Sequence, residues 1–192
     1  MHRIRSCQKL AFKVVKRNFN FKIKLNFLEF SYIIFMKIIL VGKAAAGKDY
    51  FKNRLLHKGF RCGVSHTTRK PRKGEKDGFD YHYVSDDRFI DMMEDGDIME
   101  HMEFKGWKYG LTFGEFHASD VLIMSPEGLD HLSEGIKNKC LIVYLDIEPT
   151  TRLTRLILRD DQNDSISRRF EADEEQFQNF KEYDLRITNP EF

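Results

Sequence analysis

The sequence predicts an α/β fold: a three-layer core of parallel sheet with helices on both faces. Two observations carry this expectation. Short apolar runs at residues 37–41, 121–124 and 141–145 have the unbroken hydrophobicity of strands buried on both sides, and helical patterns alternate with them. Between the first and second of these runs, residues 65–118 switch to short mixed elements, which reads as an inserted mixed α/β lobe.

The elements follow in order. Residues 37–41 (Lys-Ile-Ile-Leu-Val) form a strand, and a Gly/Ala loop runs from Gly42 to Lys48. A helix over 49–58 then sets Phe51, Leu55 and Leu56 on one side, and Gly59 ends it. Residues 60–64 read as a second strand. In the lobe come a strand near 81–84, a helix near 86–94 and a strand pair from 98 to 109. The strand at 121–124 leads into a helix over 126–134 with Pro126 in its first turn. After the strand at 141–145 come a helix at 149–159, a polar loop at 160–164, a charged helix at 165–180 and a last strand at 185–188. No internal repeat is present.

The chain has 192 residues, 41% hydrophobic and 32% charged, which is globular composition sufficient for one domain. Cys7, Cys62 and Cys140 are odd in number and far apart, which excludes a disulfide framework and a CxxC zinc site. That usage suits a reducing, cytoplasmic compartment. Residues 1–35 hold eight Lys/Arg against Glu29 alone, a charge of +7, whereas the remainder carries 24 bases and 29 acids, a charge of −5. An acidic body gives no support to nucleic-acid binding, and no apolar run approaches the ~20 residues of a membrane span. The basic N-terminal extension reads as a targeting peptide, a basic arm, or translated sequence upstream of a start at Met36. The third reading accounts best for its Lys, Asn, Phe and Ile bias. The domain is expected to occupy 36–192.

Gly42-Lys43-Ala44-Ala45-Ala46-Gly47-Lys48 matches GxxxxGK between a strand and a helix. Its N–H groups and the helix N-terminus can cradle phosphates, with Lys48 on the β- and γ-phosphates, so ATP is the expected ligand and the core is of the P-loop NTPase kind. Asp49 stands where a magnesium-binding hydroxyl usually follows the lysine. It can hold the metal or cap the helix.

Ser65 to Glu75 crowds four cations and three hydroxyls into eleven residues, and Arg69 and Arg72 could fork onto one phosphate. Ser65-His66-Thr67-Thr68-Arg69-Lys70-Pro71-Arg72-Lys73-Gly74-Glu75, followed by Asp77-Gly78-Phe79-Asp80-Tyr81-His82-Tyr83, closely resembles the nucleotide-monophosphate loop of guanylate kinases. Ile98-Met99-Glu100-His101 and Gly106-Trp107-Lys108-Tyr109-Gly110 resemble further segments of that family, over about 37–190 in all.

The resemblance implies that 65–118 is a monophosphate-binding lobe. Arg69, Arg72, Tyr81 and Tyr109 would hold the GMP phosphate, and Ser65, Glu100 and Ser125 would face guanine. It implies a short lid at about 159–169, with Arg159 and Arg169 joining Lys48 and Arg69 in catalysis, Arg155 as a further basic position, and Asn189 near the adenine. Arg152 and Arg168 suit a solvated helix face instead, and His66, His82 and His101 suit structural or surface positions. The departures are Leu111 after Tyr109-Gly110, and Leu122-Ile123-Met124-Ser125 where the family carries carboxylates, which implies less strict monophosphate recognition. The chain stops at Phe192 without the family's terminal helix, as a shortened, virus-type variant would.

The expected function is ATP- and magnesium-dependent phosphorylation of GMP or dGMP, by a monomer or homodimer whose partners are small nucleotides. The alternatives are a non-catalytic module gripping a phosphorylated partner, and a kinase of a different monophosphate.

Overall fold

The computed structural model describes residues 37–159 and 165–191. The N-terminal extension and the centre of the expected lid lie outside them. The central sheet holds β1 (Lys37–Gly42), β6 (Val121–Ile123), β7 (Cys140–Leu145) and β8 (Leu185–Ile187), all parallel, in the order β6-β1-β7-β8.

Period-two alternation makes the three layers. From β1 and β7, Ile38, Leu40, Leu141, Val143 and Leu145 pack on one face, with Phe51 and Leu55 of α1 (Lys48–Leu56). Ile39, Val41, Cys140, Ile142 and Tyr144 pack on the other. There they meet Phe116 of α3 (Phe113–Ala118), Leu129 of α4 (Pro126–Asp130) and Phe177 of α7 (Ile166–Phe177). The remaining helices are α2 (Asp86–Glu94), α5 (Glu134–Lys137) and α6 (Pro149–Arg159).

A second, mixed sheet lies wholly within residues 66–112. It comprises β2 (His66–Thr67), β3 (His82–Tyr83), β4 (Ile98–Phe104) and β5 (Trp107–Thr112), ordered β3-β2-β5-β4. Pairing is parallel between β2 and β3 and antiparallel elsewhere.

Three local expectations change. Residues 60–64 form no strand: Cys62 makes a single parallel bridge to Val121. Arg61 O accepts from Asp120 and Val121, and Gly63 N donates to Val121 O; the Glu115 carboxylate then takes the Val64 N–H and the chain leaves for the second sheet. The helix expected over 126–134 splits, because Leu132 turns into the core behind Leu129 and Ser133 starts a new helix. The unexpected α3 is capped by Thr112, whose hydroxyl accepts from Glu115 N; Thr112-Phe113-Gly114-Glu115 was a readable capping signal. Among the described residues no helix is long and apolar enough to cross a membrane.

Gly42 ends β1 where the chain must pass close to β7: a Cβ there would lie 2.8 Å from Leu145 O and 3.2 Å from Leu145 Cβ. Gly42→Ala is expected to lower stability by about 1–3 kcal/mol through overpacking against backbone, read as a reduced urea midpoint at unchanged m-value.

Candidate active site

One cleft of about 830 Å³ lies between the two sheets, and most of the expected site residues line it. The phosphate loop forms its floor. Ala45 (φ 58°) and Gly47 (φ 97°) take the left-handed turns that curl the loop, and Ala46 is fully buried beneath it. Lys48 Nζ lies back along the loop, donating to Gly42 O at 2.5 Å and Lys43 O at 3.1 Å. Burial lowers its pKa from the ordinary value, opposed by the charges of Asp173 and Asp49. Asp49 is exposed in the first turn of α1 and opens on the cleft, so its carboxylate also acts on Tyr81 and Arg159.

The basic segment wraps around one carboxylate, Glu75. Arg69 is 1% exposed, and its Nη2 donates to both Glu75 oxygens at 2.9 and 3.1 Å. Arg72 gives Glu75 its backbone N–H at 2.7 Å and its Nη1 at 3.3 Å, and the Tyr83 hydroxyl donates at 2.7 Å. Arg69 also stands over the Tyr81 and Tyr83 rings, with the Tyr109 ring edge-on to Tyr81 at 5.9 Å. Arg69 itself does not line the cleft; its Nη1 donates to Lys70 O at 2.7 Å, and its Nε is buried without a hydrogen-bond partner. Ser65, Arg72, Tyr81 and Tyr109 line the cleft beside this cluster.

At the other wall β4 presents Glu100, 6% exposed, towards Gly128 in α4. A Cβ on Gly128 would come within 2.5 Å of Glu100 Oε2, so the glycine makes room for the carboxylate. Burial, reinforced by the charge of Glu127, pushes the Glu100 carboxyl up to about 7. Ser125 lines the same wall while capping α4, its Oγ accepting from Gly128 N at 3.0 Å. Ile123 is also on the wall, whereas Leu111 is withdrawn into the core at 1% exposed.

On the helix side, Arg159 at the end of α6 reaches Glu75 at 3.5 Å, and Arg169 in α7 is buried against the cleft. Arg155 donates from α6 to Ala45 O and to Pro190 O. Asn189 is not brought to the cleft wall: it is exposed and accepts from Glu191 N, while Pro190 and Glu191 line the cleft in its place.

Arg152 corrects the expectation of a solvated face. It is 1% exposed, donates to Ile147 O and to Glu174, and lies over the Phe170 ring at 4.6 Å. Arg168 is exposed. His66 stacks on His82 across paired strands, and His101 packs against His131. No group of three or more His, Cys, Asp or Glu among the described residues is placed to hold a metal. Sequence reasoning passed over the roles of Glu75, Tyr83, Gly128 and Asp173; only Glu75 lay inside a segment already marked as basic.

Burial alone would raise the Glu75 pKa, but the Arg72 N–H, the Tyr83 hydroxyl and Arg69 hold it at about 2. A carboxyl depressed below its ordinary 4.5 adds stability that is fully present above that pH and is lost as pH falls towards 2. Glu75→Gln is expected to cost on the order of 3 kcal/mol at pH 7. Urea unfolding of the two proteins should converge as the pH is lowered from 4.5 towards 2.

Comparison with known proteins points to one family. The guanylate kinase family model matches residues 35–192. A guanylate kinase of Thiobacillus denitrificans is 33% identical over 163 residues, covering 80% of this chain and 78% of its own. One of Alkalilimnicola ehrlichii is 30% identical over 164 residues, covering 80% of each chain. A human guanylate kinase is 32% identical over 125 residues, covering 58% of this chain and 60% of its own. The crystal structure of guanylate kinase from Anaplasma phagocytophilum shares the fold, with a TM-score of 0.61 at 22% identity over 80% of this chain and 76% of that one.

Proposed function

The chain belongs to the guanylate kinase family, and from that premise we propose that it transfers the γ-phosphoryl group of ATP to GMP or dGMP. The observation that carries the reading is the convergence on one cleft of a phosphate loop with its lysine, an arginine–tyrosine cluster and a buried carboxylate. Residues 65–118 act as the monophosphate-binding lobe and about 159–169 as the lid, within a domain spanning 36–192.

Lys43, Ala44, Ala45, Ala46 and Gly47 surround the triphosphate after Gly42, and Lys48 neutralises charge on it. The monophosphate sits on Arg69, Arg72, Tyr81 and Tyr109. The unpartnered Nε of Arg69 suits this role, since a buried guanidinium donor needs an acceptor. Glu100 accepts from the ring N–H and exocyclic amine of guanine, a pair of donors that adenine lacks, with Ser65 and the Ser125 hydroxyl beside it.

A phosphate oxygen of GMP bonds to the γ-phosphorus as the bond to the β-phosphate oxygen breaks, and ADP leaves. The attacking oxygen is already ionised, so positioning and charge neutralisation by Lys48, Arg69, Arg159 and Arg169 suffice without a covalent enzyme intermediate. Closure of the lid arginines over the cleft excludes water that would otherwise accept the phosphoryl group.

Asp49 fits a magnesium ion. It is a single exposed carboxylate opening on the cleft beside Lys48, which suits a cation that keeps most of its waters and takes its other ligands from phosphates. When bound, the ion offsets charge that develops on the transferred group.

A coupled assay of ADP formation with GMP, dGMP, AMP, CMP and dTMP tests the reading. Turnover with GMP and dGMP is expected. Absence of turnover with all five would point to a binding module, and preference for another base to a different monophosphate kinase.

Lys48→Ala should lower kcat by about 100- to 1,000-fold while calorimetry still detects GMP binding, because the two phosphate sites lie on different loops.

Glu100 must be ionised to accept both guanine donors, and its pKa is raised to about 7. The value of kcat/KM for GMP should therefore rise with pH through about 7. Glu100→Gln should remove that limb and cost roughly 2–4 kcal/mol, about 30- to 1,000-fold in kcat/KM for GMP, with little change for AMP.

A further inference from the structure

α7 carries two charged residues one helical turn apart, Arg169 and Asp173, each 7% exposed and each lining the cleft. The Asp173 Oδ2 accepts the backbone N–H of Ala44 at 2.6 Å, across 129 residues of chain. The next residue, Glu174, binds Lys43 Nζ, and its other oxygen accepts from Arg152 Nη2 at 2.5 Å. Arg155 holds Ala45 O at 3.1 Å. The first half of the phosphate loop, Lys43 to Ala45, is thus fixed from outside by α6 and α7. The second half is fixed by its own chain, through Ala46 N to Lys43 O, Phe51 N to Gly47 O, and the Lys48 ammonium on Gly42 O and Lys43 O.

Burial raises the Asp173 pKa, opposed by the Ala44 N–H and by the charges of Lys48, Arg152 and Arg169. Arg152 lies 3.7 Å from Asp173 and is itself anchored on Ile147 O and Glu174, so the carboxylate is held by buried, fixed partners.

We propose that Asp173 is a positioning residue: by docking α7 on the Ala44 N–H it fixes where Arg169 stands relative to Lys48 across the transferred phosphoryl group. Residues four apart share a helix face, so the contact that places Asp173 also places Arg169. This rests on the phosphoryl-transfer reading given above. The same contact could instead be a competitor, with a carboxylate standing in for a phosphate oxygen on the loop. The ion pair of Asp173 with the buried Arg152 at 3.7 Å favours docking, and the two readings differ in sign for nucleotide affinity.

The test compares Asp173→Ala and Asp173→Asn with the wild type by coupled assay, by calorimetry of ATP and of GMP binding, and by melting temperature. Misplacing a group by about 1 Å costs up to about 100-fold. D173A should therefore lose about 30- to 100-fold in kcat, while KM for GMP and affinity for both nucleotides stay within about threefold. The Asn variant keeps an acceptor for the Ala44 N–H, so its kcat should fall only about 3- to 10-fold. If D173A does not fold, the Asn variant carries the test: that loss with unchanged GMP affinity supports docking, and a kcat equal to wild type overturns it. Tighter ATP binding in either variant overturns the proposal in favour of competition. An unimpaired D173A, or an Asn variant as impaired as Ala, also overturns it. A wild type that forms no ADP with any monophosphate overturns the phosphoryl-transfer reading and this proposal with it. An active wild type beside an unimpaired D173A overturns this proposal alone.

Discussion

Cations crowded around a low-dielectric cleft are the constraint on which this structure turns. Lys48, Arg72, Arg159 and Arg169 line one cavity with Arg69 buried beside it, and crowded like charges repel unless acids stand among them. Glu75 answers this beside Arg69 and Arg72, and Asp173 with Glu174 answers it at the Gly42–Lys48 loop. These acids hold the cations in place, so the folded protein already carries the preorganised charge that the proposed phosphoryl transfer calls for.

The wall that carries Glu100 works under the opposite constraint. Burial and the charge of Glu127 both favour the neutral form of that carboxyl. A base that brings two N–H donors to that carboxylate restores the hydrogen bonds that burial removed. Gly128 gives the carboxylate space, and Ser125 uses its oxygen lone pair for the helix cap, leaving its O–H proton for another partner. Under the proposed function the wall offers a base one acid and one hydroxyl, with the apolar side chain of Ile123 beside them.

What the sequence disclosed was local. The strand–loop–helix around Gly42 to Lys48, the helices Asp86–Glu94 and Pro149–Arg159, and the buried strand Cys140–Leu145 each follow from periodicity and punctuation within a dozen residues. The Arg69–Arg72 loop and Glu100 were legible through segments similar to a known family. Long-range pairings were not. Nothing near Asp173 marks it as the acceptor for Ala44 N–H. Arg152 looks like any helix-surface arginine until Glu174 and Phe170 close over it. The 60–64 segment has strand composition but only one bridge, because pairing length is set by where its neighbour β6 lies.

The contact between Glu75 and Arg159 joins the 65–75 segment to the end of α6. Glu75 also holds Arg69 and Arg72, so a phosphate that draws on those arginines alters the partner available to Arg159. Linkage makes any such effect mutual: whatever one nucleotide does to the affinity of the other, the second must return in equal measure. The two halves of the cleft therefore share one ledger of charge, and the order in which the nucleotides arrive cannot change its total.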